Sequence, residues 1–361
     1  MSIQFTISLI IFLFLLLLKF PTLNLKAENY NDVFSKSKTD ALRGFAVIII
    51  IVSHIIQAFY NEIYINNILH YVKNVIINWG GVGVAIFFFQ SGFGNYLSLN
   101  KKPTLIMLWF MKKVLRLVLS FVPSFILVLF VDKMLNISTN VELVDSFISL
   151  RMPNSTTWYL KIQILIYIFI GIGYYFSSLC SNSFLLKITV FFGTIFYFII
   201  SKYILFFEDF WWKTSLCFFV GCVVGSHKQF IESYLNKLKR VKLRICFVSL
   251  MVVLFSFMYL HIIVDAQYGI KHLISYSFIC VISSILFGLF FKSSYILSVI
   301  GKRSLDLYLV HIGLFELLNY NFFFFNRSIN IAVFLFLSFA LAFFSNYLQT
   351  KLVCFFNKLY I

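Results

Sequence analysis

The stretch "KTDALRGFAVIIIIVSHIIQAF", residues 38–59, combines a long apolar run with ionisable side chains. Asp40 and Arg43 stand near its start, and His54 lies inside the apolar run. Such a run is typical of a membrane-spanning helix, where an ionisable side chain is costly unless it faces a cavity or a partner. The position of this imidazole is therefore the first feature that the rest of the sequence has to explain.

The composition of the whole chain agrees with a membrane environment. The 361 residues are 61% hydrophobic, and the mean hydropathy is +0.93, which is too apolar for a soluble globular protein. Apolar runs of about 18 residues or more recur and are continuous rather than alternating, which excludes an outer-membrane barrel. We predict an all-α, polytopic transmembrane helical bundle with about ten core helices plus one extra N-terminal span.

Eleven apolar runs are long enough to span a bilayer, ten of them from the quoted stretch onward. The predicted spans are 3–20, 43–60, 75–98, 114–132, 158–177, 184–205, 210–226, 244–264, 273–291, 304–320 and 330–348. Residues 1–37 then form a hydrophobic span and linker, 38–350 the transmembrane domain, and 351–361 a short cytoplasmic tail. Because the first run has no basic segment before it and no small-residue cleavage site, we expect an uncleaved span.

The basic residues test this topology. If Arg43 is cytoplasmic, 22 of the 30 Lys and Arg residues fall in cytoplasmic segments. This excess follows the positive-inside rule, so the net charge of +17 indicates membrane orientation rather than nucleic-acid binding. The connections between spans are short, and the longest outer one covers about residues 133–157. We expect the chemistry to lie inside the bilayer or at its faces.

Arg43 and His54 are eleven residues apart, which in a helix is about 20° of rotation and roughly 16–17 Å of rise. The two side chains therefore share one face, with Arg43 at the cytoplasmic rim and His54 near mid-membrane. One interpretation is a functional imidazole that faces a cavity, and the other is a hydrogen bond that joins two helices. Asp40 is interpreted as a helix N-cap or as the ion-pair partner of Arg43.

Lys113 and Arg116 lie three residues apart at the cytoplasmic start of the fourth predicted span. Two cations on one helix face are suited to a phosphorylated cytoplasmic ligand. Ordinary positive-inside anchoring explains the same pair, and the sequence leaves both interpretations open.

The chain offers no pattern for a metal site. Its six cysteines form no CxxC pair, so the sequence predicts neither a disulfide framework nor a thiolate metal site. We expect no bound metal.

Four segments in order resemble the membrane-bound acyltransferase-3 family, the O-acyltransferases that decorate bacterial surface glycans. "DALRGFAVIIIIVSH" is similar to the family's first-helix signature, and "GVGVAIFFFQSGF", which contains Ser91, is similar to its Gly-Val, Phe-Phe and Ser-Gly-Phe signature. "WYL", which starts at Trp158, and "GKRSLDLYLVH", with Tyr308 and His311, are similar to later family positions. The resemblance covers residues 38–348.

The resemblance implies a multi-pass enzyme of the bacterial cytoplasmic membrane that takes an acetyl group from cytoplasmic acetyl-CoA to a glycan hydroxyl on the extracytoplasmic side. It implies that Arg43 and His54 are essential, and that Arg43, Lys113 and Arg116 bind the acyl-CoA. The family's Arg-x-x-Arg falls here on Lys113 and Arg116, which keeps the charge and loses one guanidinium fork. The supporting positions are Asp40, Ser91, Trp158, Tyr308 and His311.

The expected mechanism joins the resemblance to the geometry. The cations hold the coenzyme A phosphates, the thioester arm passes between helices, and neutral His54 acts as general base on the acceptor hydroxyl. Acetyl-CoA is a donor substrate, and we expect no bound cofactor and no nucleic-acid partner. Some members carry a fused extracytoplasmic esterase-like domain. Because this chain ends soon after its last predicted span, we expect direct transfer.

Three alternatives stay open. A non-enzymatic transporter of a lipid-linked glycan is opposed by the lack of an internal repeat and by the few ionisable residues within the spans. A glycan polymerase is opposed by the modest size of the outer loop at 133–157. The third alternative is the same enzyme class with another acyl group, such as succinyl.

Overall fold

Helix α1, Lys36–Ala58, contains the quoted stretch and lies at the centre of the bundle. The computed structural model describes residues 33–58, 67–101, 106–135, 158–237, 241–264, 269–290, 294–319 and 327–359. All residues from Ala46 to Ile51 are buried, so α1 has no outward face along this segment. A helix that is apolar all round is suited to such a position, because every side is covered by other helices.

Eleven further α-helices follow in the described part of the chain, which contains no strand, and the predicted all-α fold is confirmed. They are α2 (Asn67–Lys101), α3 (Ile106–Leu135), α4 (Trp158–Leu179), α5 (Ser183–Ile199), α6 (Leu216–Ser226), α7 (Lys228–Lys237), α8 (Val241–Val264), α9 (Gly269–Phe290), α10 (Tyr295–Lys302), α11 (Ser304–Asn319) and α12 (Arg327–Leu359). A π-helical turn, Ile200–Ile204, continues α5, and a 3-10 turn, Asp209–Trp211, precedes α6.

Among the described helices, six are long and apolar enough to cross a bilayer, as expected for a multi-pass membrane protein. Helices overlap all ten spans predicted from residue 43 onward. The predicted first span at 3–20 lies outside the described residues. Helix α12 continues to Leu359 and includes most of the segment that we predicted as a tail.

The predicted span at 210–226 has a different form in the structure. Its helical part, α6, has 11 residues and is about 16 Å long, roughly half the thickness of a bilayer core. The helix is shorter than the predicted span because Thr214 and Ser215 lie in a turn ahead of it. In this turn the Ser215 hydroxyl donates to the Trp212 carbonyl at 2.9 Å. Helix α6 is therefore a half-length element inside the bundle.

Glycines permit the closest helix contacts around α1 and α2. A Cβ atom on Gly44 of α1 would overlap the Leu297 carbonyl oxygen of α10, and one on Gly92 of α2 would overlap the Phe218 carbonyl oxygen of α6. In these pairs, backbone packs directly on backbone. The glycine contacts hold α10 and α6 against the two central helices.

The outer helices of the bundle have a different character. In the most apolar windows of α1 and α2, 67% and 78% of residues are buried, against 33% in α4, 33% in the α5 segment and 28% in α12. Large apolar side chains such as Phe192 and Phe336 are exposed on this outer layer. Exposed apolar surface of this kind matches hydrocarbon, so α4, α5 and α12 form a lipid-facing layer around the centre.

Candidate active site

A cavity of about 460 Å³ lies at one end of the bundle and is lined by side chains of α1, α2, α3, α4, α10 and α11. Its volume falls in the range of roughly 300–1,000 Å³ that is typical of small-molecule sites. It is the junction at which the central helices meet α3 and α4.

Cations from three helices line the cavity. They are Lys36 and Arg43 of α1, Lys113 and Arg116 of α3, and Lys302 of α10. Arg43 Nη1 lies 3.3 Å from Asp40 Oδ1, and its side chain stays one-third exposed (34%), so the guanidinium is held at the wall and remains accessible. The predicted Lys113 and Arg116 pair does share one face. This wall is suited to an anionic ligand with several charges.

Asp306 of α11 is the single carboxylate among the described lining residues. It is buried, and its two oxygens accept hydrogen bonds from Ser345 Oγ at 3.3 Å and Asn346 Nδ2 at 3.1 Å, both on α12. These bonds hold the carboxylate on the α12 side of α11.

A second part of the wall is polar and uncharged. Gln163 of α4 donates through Nε2 to Ser91 Oγ of α2, and Asn95 Nδ2 donates to the same hydroxyl at 3.4 Å. The Oε1 atoms of Gln163 and of Gln90 are buried and have no hydrogen-bond partner among the described residues. Buried polar atoms are normally satisfied, so these oxygens mark acceptors that a bound molecule can use.

Three aromatic rings line another part of the cavity. The Tyr159 and Tyr308 ring centroids are 5.6 Å apart, and the Phe87 ring meets Tyr308 edge-on at 6.1 Å. All three side chains are buried. This aromatic cluster, Phe87, Tyr159 and Tyr308, makes a dry part of the wall.

Two histidines lie next to the aromatic cluster. His54 Nδ1 of α1 is 3.1 Å from His311 Nε2 of α11, and the His311 ring meets the Tyr308 ring edge-on at 5.7 Å. His311 is fully buried, whereas His54 is half-buried. The described lining residues of the cavity include neither histidine. Tyr308 is therefore the wall residue that connects the cavity with the histidine pair.

The predicted site residues fall into two groups. Arg43, Lys113, Arg116, Ser91 and Tyr308 line the cavity, while His54 and His311 are bonded to each other beside it. His54 joins two helices, as the second interpretation predicts. It does not line the cavity, so a functional role for this imidazole stays a prediction.

The remaining two predicted residues have other positions. Asp40 pairs with Arg43 and is not an N-cap, because α1 begins four residues earlier at Lys36. Trp158 is the first residue of α4, and its side chain lies outside the described part of the structure.

Sequence reasoning missed part of the polar wall, chiefly Gln90, Asn95, Ser98 and Lys302. A signal was present, because Ser91, Asn95 and Ser98 recur at helical spacing within an otherwise apolar segment. Lys302 carried no such signal, since it reaches the wall through the short helix α10, which we did not predict.

Within the described ranges, no group of three His, Cys, Asp or Glu side chains is placed to hold a metal ion. The polar chemistry at this end of the bundle comes from cations, amides, hydroxyls and two imidazoles.

Comparison with known proteins identifies the family. A family model described as acyltransferase domain, that of acyltransferase family 3, matches residues 37–347, which is most of the chain. No curated protein and no solved structure matches. The match includes α2 to α11, all of α1 after Lys36, and every described residue of the cavity wall except Lys36. This chain therefore belongs to acyltransferase family 3 and is a multi-pass membrane acyltransferase.

Proposed function

We propose that this protein transfers an acetyl group from cytoplasmic acetyl-CoA to a hydroxyl of a cell-surface or exported glycan, in the cytoplasmic membrane of a bacterium. The observation that carries the proposal is the position of the cationic cavity beside the histidine pair, with Tyr308 in contact with both. A donor with several phosphates fits the first feature, and proton transfer fits the second.

The cations of the wall bind the coenzyme A phosphates. Arg43, Lys113 and Arg116 come from two helices, so a phosphate between them is contacted from two directions. An arginine guanidinium donates two parallel hydrogen bonds to a phosphate, whereas Lys113 contributes a point charge. The positive-inside pattern of the sequence supports a cytoplasmic position for this end of the bundle, where acyl-CoA is available.

The uncharged wall suits the pantetheine arm of the donor. This arm carries amide N–H groups, and the free Oε1 atoms of Gln90 and Gln163 are acceptors for such donors. The arm then directs the thioester toward the aromatic cluster.

The transfer step uses His54. As the glycan hydroxyl oxygen attacks the thioester carbonyl carbon, neutral His54 removes the hydroxyl proton. The carbon–sulfur bond breaks, and the proton passes from His54 to the departing sulfur, so the products are an O-acetyl ester and free coenzyme A. The aromatic cluster limits competing hydrolysis of the thioester, because it keeps water away from the reaction.

Inverted membrane vesicles that contain the full chain test this proposal. Radiolabelled acetyl-CoA is supplied outside, and the label in the purified glycan is measured. We expect label in the glycan, less label with His54→Ala at equal protein level, and no competition from succinyl-CoA. Unlabelled glycan in vesicles with intact protein would favour transport instead, and efficient competition by succinyl-CoA would change the acyl group.

A further inference from the structure

The contact between His54 and His311 joins α1 and α11, the first and the penultimate of the described helices. We propose that His311 is a positioning residue that fixes the tautomer of His54, so that the Nδ1 atom of His54 carries the proton and its Nε2 atom presents a free lone pair. This inference rests on the proposed function for its catalytic meaning, whereas the tautomer itself is a property of the chain alone.

The assignment starts at a backbone carbonyl. His311 Nδ1 lies 2.9 Å from the Leu307 carbonyl oxygen, one helical turn earlier in α11. A carbonyl oxygen only accepts hydrogen bonds, so His311 Nδ1 is the protonated nitrogen. In a neutral imidazole the other nitrogen, Nε2, then carries the lone pair.

The lone pair on His311 Nε2 then determines the tautomer of His54 on α1. His54 Nδ1 is 3.1 Å from His311 Nε2, and because the Nε2 atom accepts, His54 Nδ1 donates. The free lone pair of a neutral His54 is therefore on Nε2. The Leu307 carbonyl thus determines, through one intervening ring, which nitrogen of His54 is the base.

The hydrogen bonds from His54 through His311 to the Leu307 carbonyl form a relay, and the opposite direction of this relay is unfavourable. One way to reverse it leaves His311 Nδ1 without a proton, so that its lone pair faces a lone pair of the Leu307 oxygen, with the two atoms 2.9 Å apart. The other way requires a doubly protonated His311. His311 is fully buried, and among the described residues its ring nitrogens bond to His54 and to the Leu307 carbonyl rather than to a carboxylate. A buried cation without a paired anion is costly, so a neutral His311 with its proton on Nδ1 is favoured.

Packing holds both rings in this relation. The His311 ring meets the Tyr308 ring edge-on. The centroid of the His54 ring lies 5.6 Å from the centroid of the Phe315 ring. The planes of the two imidazoles are 21° apart. Since His311 is enclosed and His54 is half-buried, the His311 end of the relay is fixed and the His54 end is accessible.

The relay also has a role during proton transfer. When His54 Nε2 takes the proton of the acceptor hydroxyl, His54 becomes an imidazolium, and its Nδ1–H bond to His311 Nε2 becomes charge-assisted and stronger. His311 keeps its own proton throughout. The positive charge is therefore stabilised without a carboxylate.

Variants at His311 test the positioning role by kinetics. In His311→Leu no acceptor remains for His54 Nδ1–H, and we expect kcat to fall by up to about 10⁴-fold, the effect that a wrong histidine tautomer has in a hydrolytic triad. The KM for acetyl-CoA should stay unchanged, because the cationic wall is intact. His311→Gln offers an amide oxygen to the same proton and should recover much of the lost kcat. Wild-type kcat in His311→Leu would overturn the proposal.

Nitrogen-15 NMR of the full chain, labelled at histidine and reconstituted in lipid bilayers, reads the tautomer directly. Subtraction of the His54→Asn spectrum assigns the His54 signals. We expect protonated Nδ1 and bare Nε2 in the wild type and in the control His227→Leu, which removes an exposed histidine at the end of α6. His311→Leu should shift the proton toward Nε2.

Protonated Nε2 on His54 in the wild type would overturn the proposed relay. The measurement needs no substrate, so it separates this inference from the proposed function. A correct tautomer without acetyl transfer would refute only the function.

Discussion

The cationic wall and the histidine pair differ in how much freedom they leave to their side chains. The Arg43 side chain is one-third exposed and pairs with Asp40, whereas His311 is fully enclosed and hydrogen-bonded through both nitrogens. Exposed cations are screened by salt, and several of them interact with the same anionic ligand. The remaining cations therefore compensate in part when one is removed. An enclosed imidazole has no substitute. We therefore expect changes at the wall to act on KM, and changes at the histidines to act on kcat.

Gly44→Ala should remove this difference by disturbing both regions together. The added Cβ overlaps the Leu297 carbonyl oxygen of α10, and overpacking of backbone costs about 1–3 kcal/mol or more. We expect a lower midpoint of thermal unfolding in detergent and the loss of both donor binding and transfer. Gly171→Ala is the matched control, because its Cβ meets its nearest atom at 3.9 Å. Equal stability of the two variants would contradict the close packing of α1 on α10.

His54→Gln should separate the two regions most clearly. Loss of a general base lowers kcat by about 10²–10⁴-fold, while acetyl-CoA binding to the cationic wall stays the same. Steady-state kinetics in vesicles measures the first effect, and equilibrium binding of coenzyme A measures the second. His227→Gln serves as the control. A variant with normal kcat would remove His54 from the mechanism.

Arg116→Gln should act in the opposite way and raise the KM for acetyl-CoA. A charge-assisted hydrogen bond contributes roughly 1.5–3 kcal/mol, and since Arg116 is an exposed residue we expect the lower part of this range, about ten-fold in KM. The increase should shrink at high salt and with a donor that lacks the 3′-phosphate, if that phosphate is the group bound. Lys112→Gln is the control, because this neighbour does not line the cavity.

Lys113→Ala should give the smallest effect, a few-fold rise in the acetyl-CoA requirement with kcat unchanged. The Nζ atom of Lys113 lies 5.7 Å from the centroid of the Trp109 ring, so part of its interaction is with the protein itself. Lys113→Arg should lower the KM slightly, because it supplies a second guanidinium fork beside Arg116. An unchanged KM in Lys113→Ala would make this lysine a topological anchor only.

Periodicity and hydropathy predicted much of the fold, because a span is a local property. Helices overlap each of the ten segments predicted from residue 43 onward, and Lys113 and Arg116 share a face since both belong to one regular helix. Helices α7 and α10 were missed, because eight to ten residues give too short a periodic signal to distinguish from a connection. The half length of α6 was not predicted, because the turn ahead of it is apolar enough to extend the predicted span.

The candidate site was predictable only in part. The types of residue in the quoted stretch indicated a function for Arg43 and His54, but nothing local indicates that His54 bonds to His311, which is 257 residues away. Pairings of this kind depend on which helices meet, and one sequence does not contain that information in readable form.

The contact of α1 with α10 has a consequence for how a ligand enters. Gly44 and Gly301 bring backbone against backbone, and no side chain at the contact can rotate to let the two helices separate. Arg43 and Lys302, one on each helix, therefore keep a spacing that is set when the chain folds. Under the proposed function, an arriving donor therefore meets a preorganised half of its binding surface, and we expect the opposite wall, formed by α3 and α4, to make the adjustment that admits it.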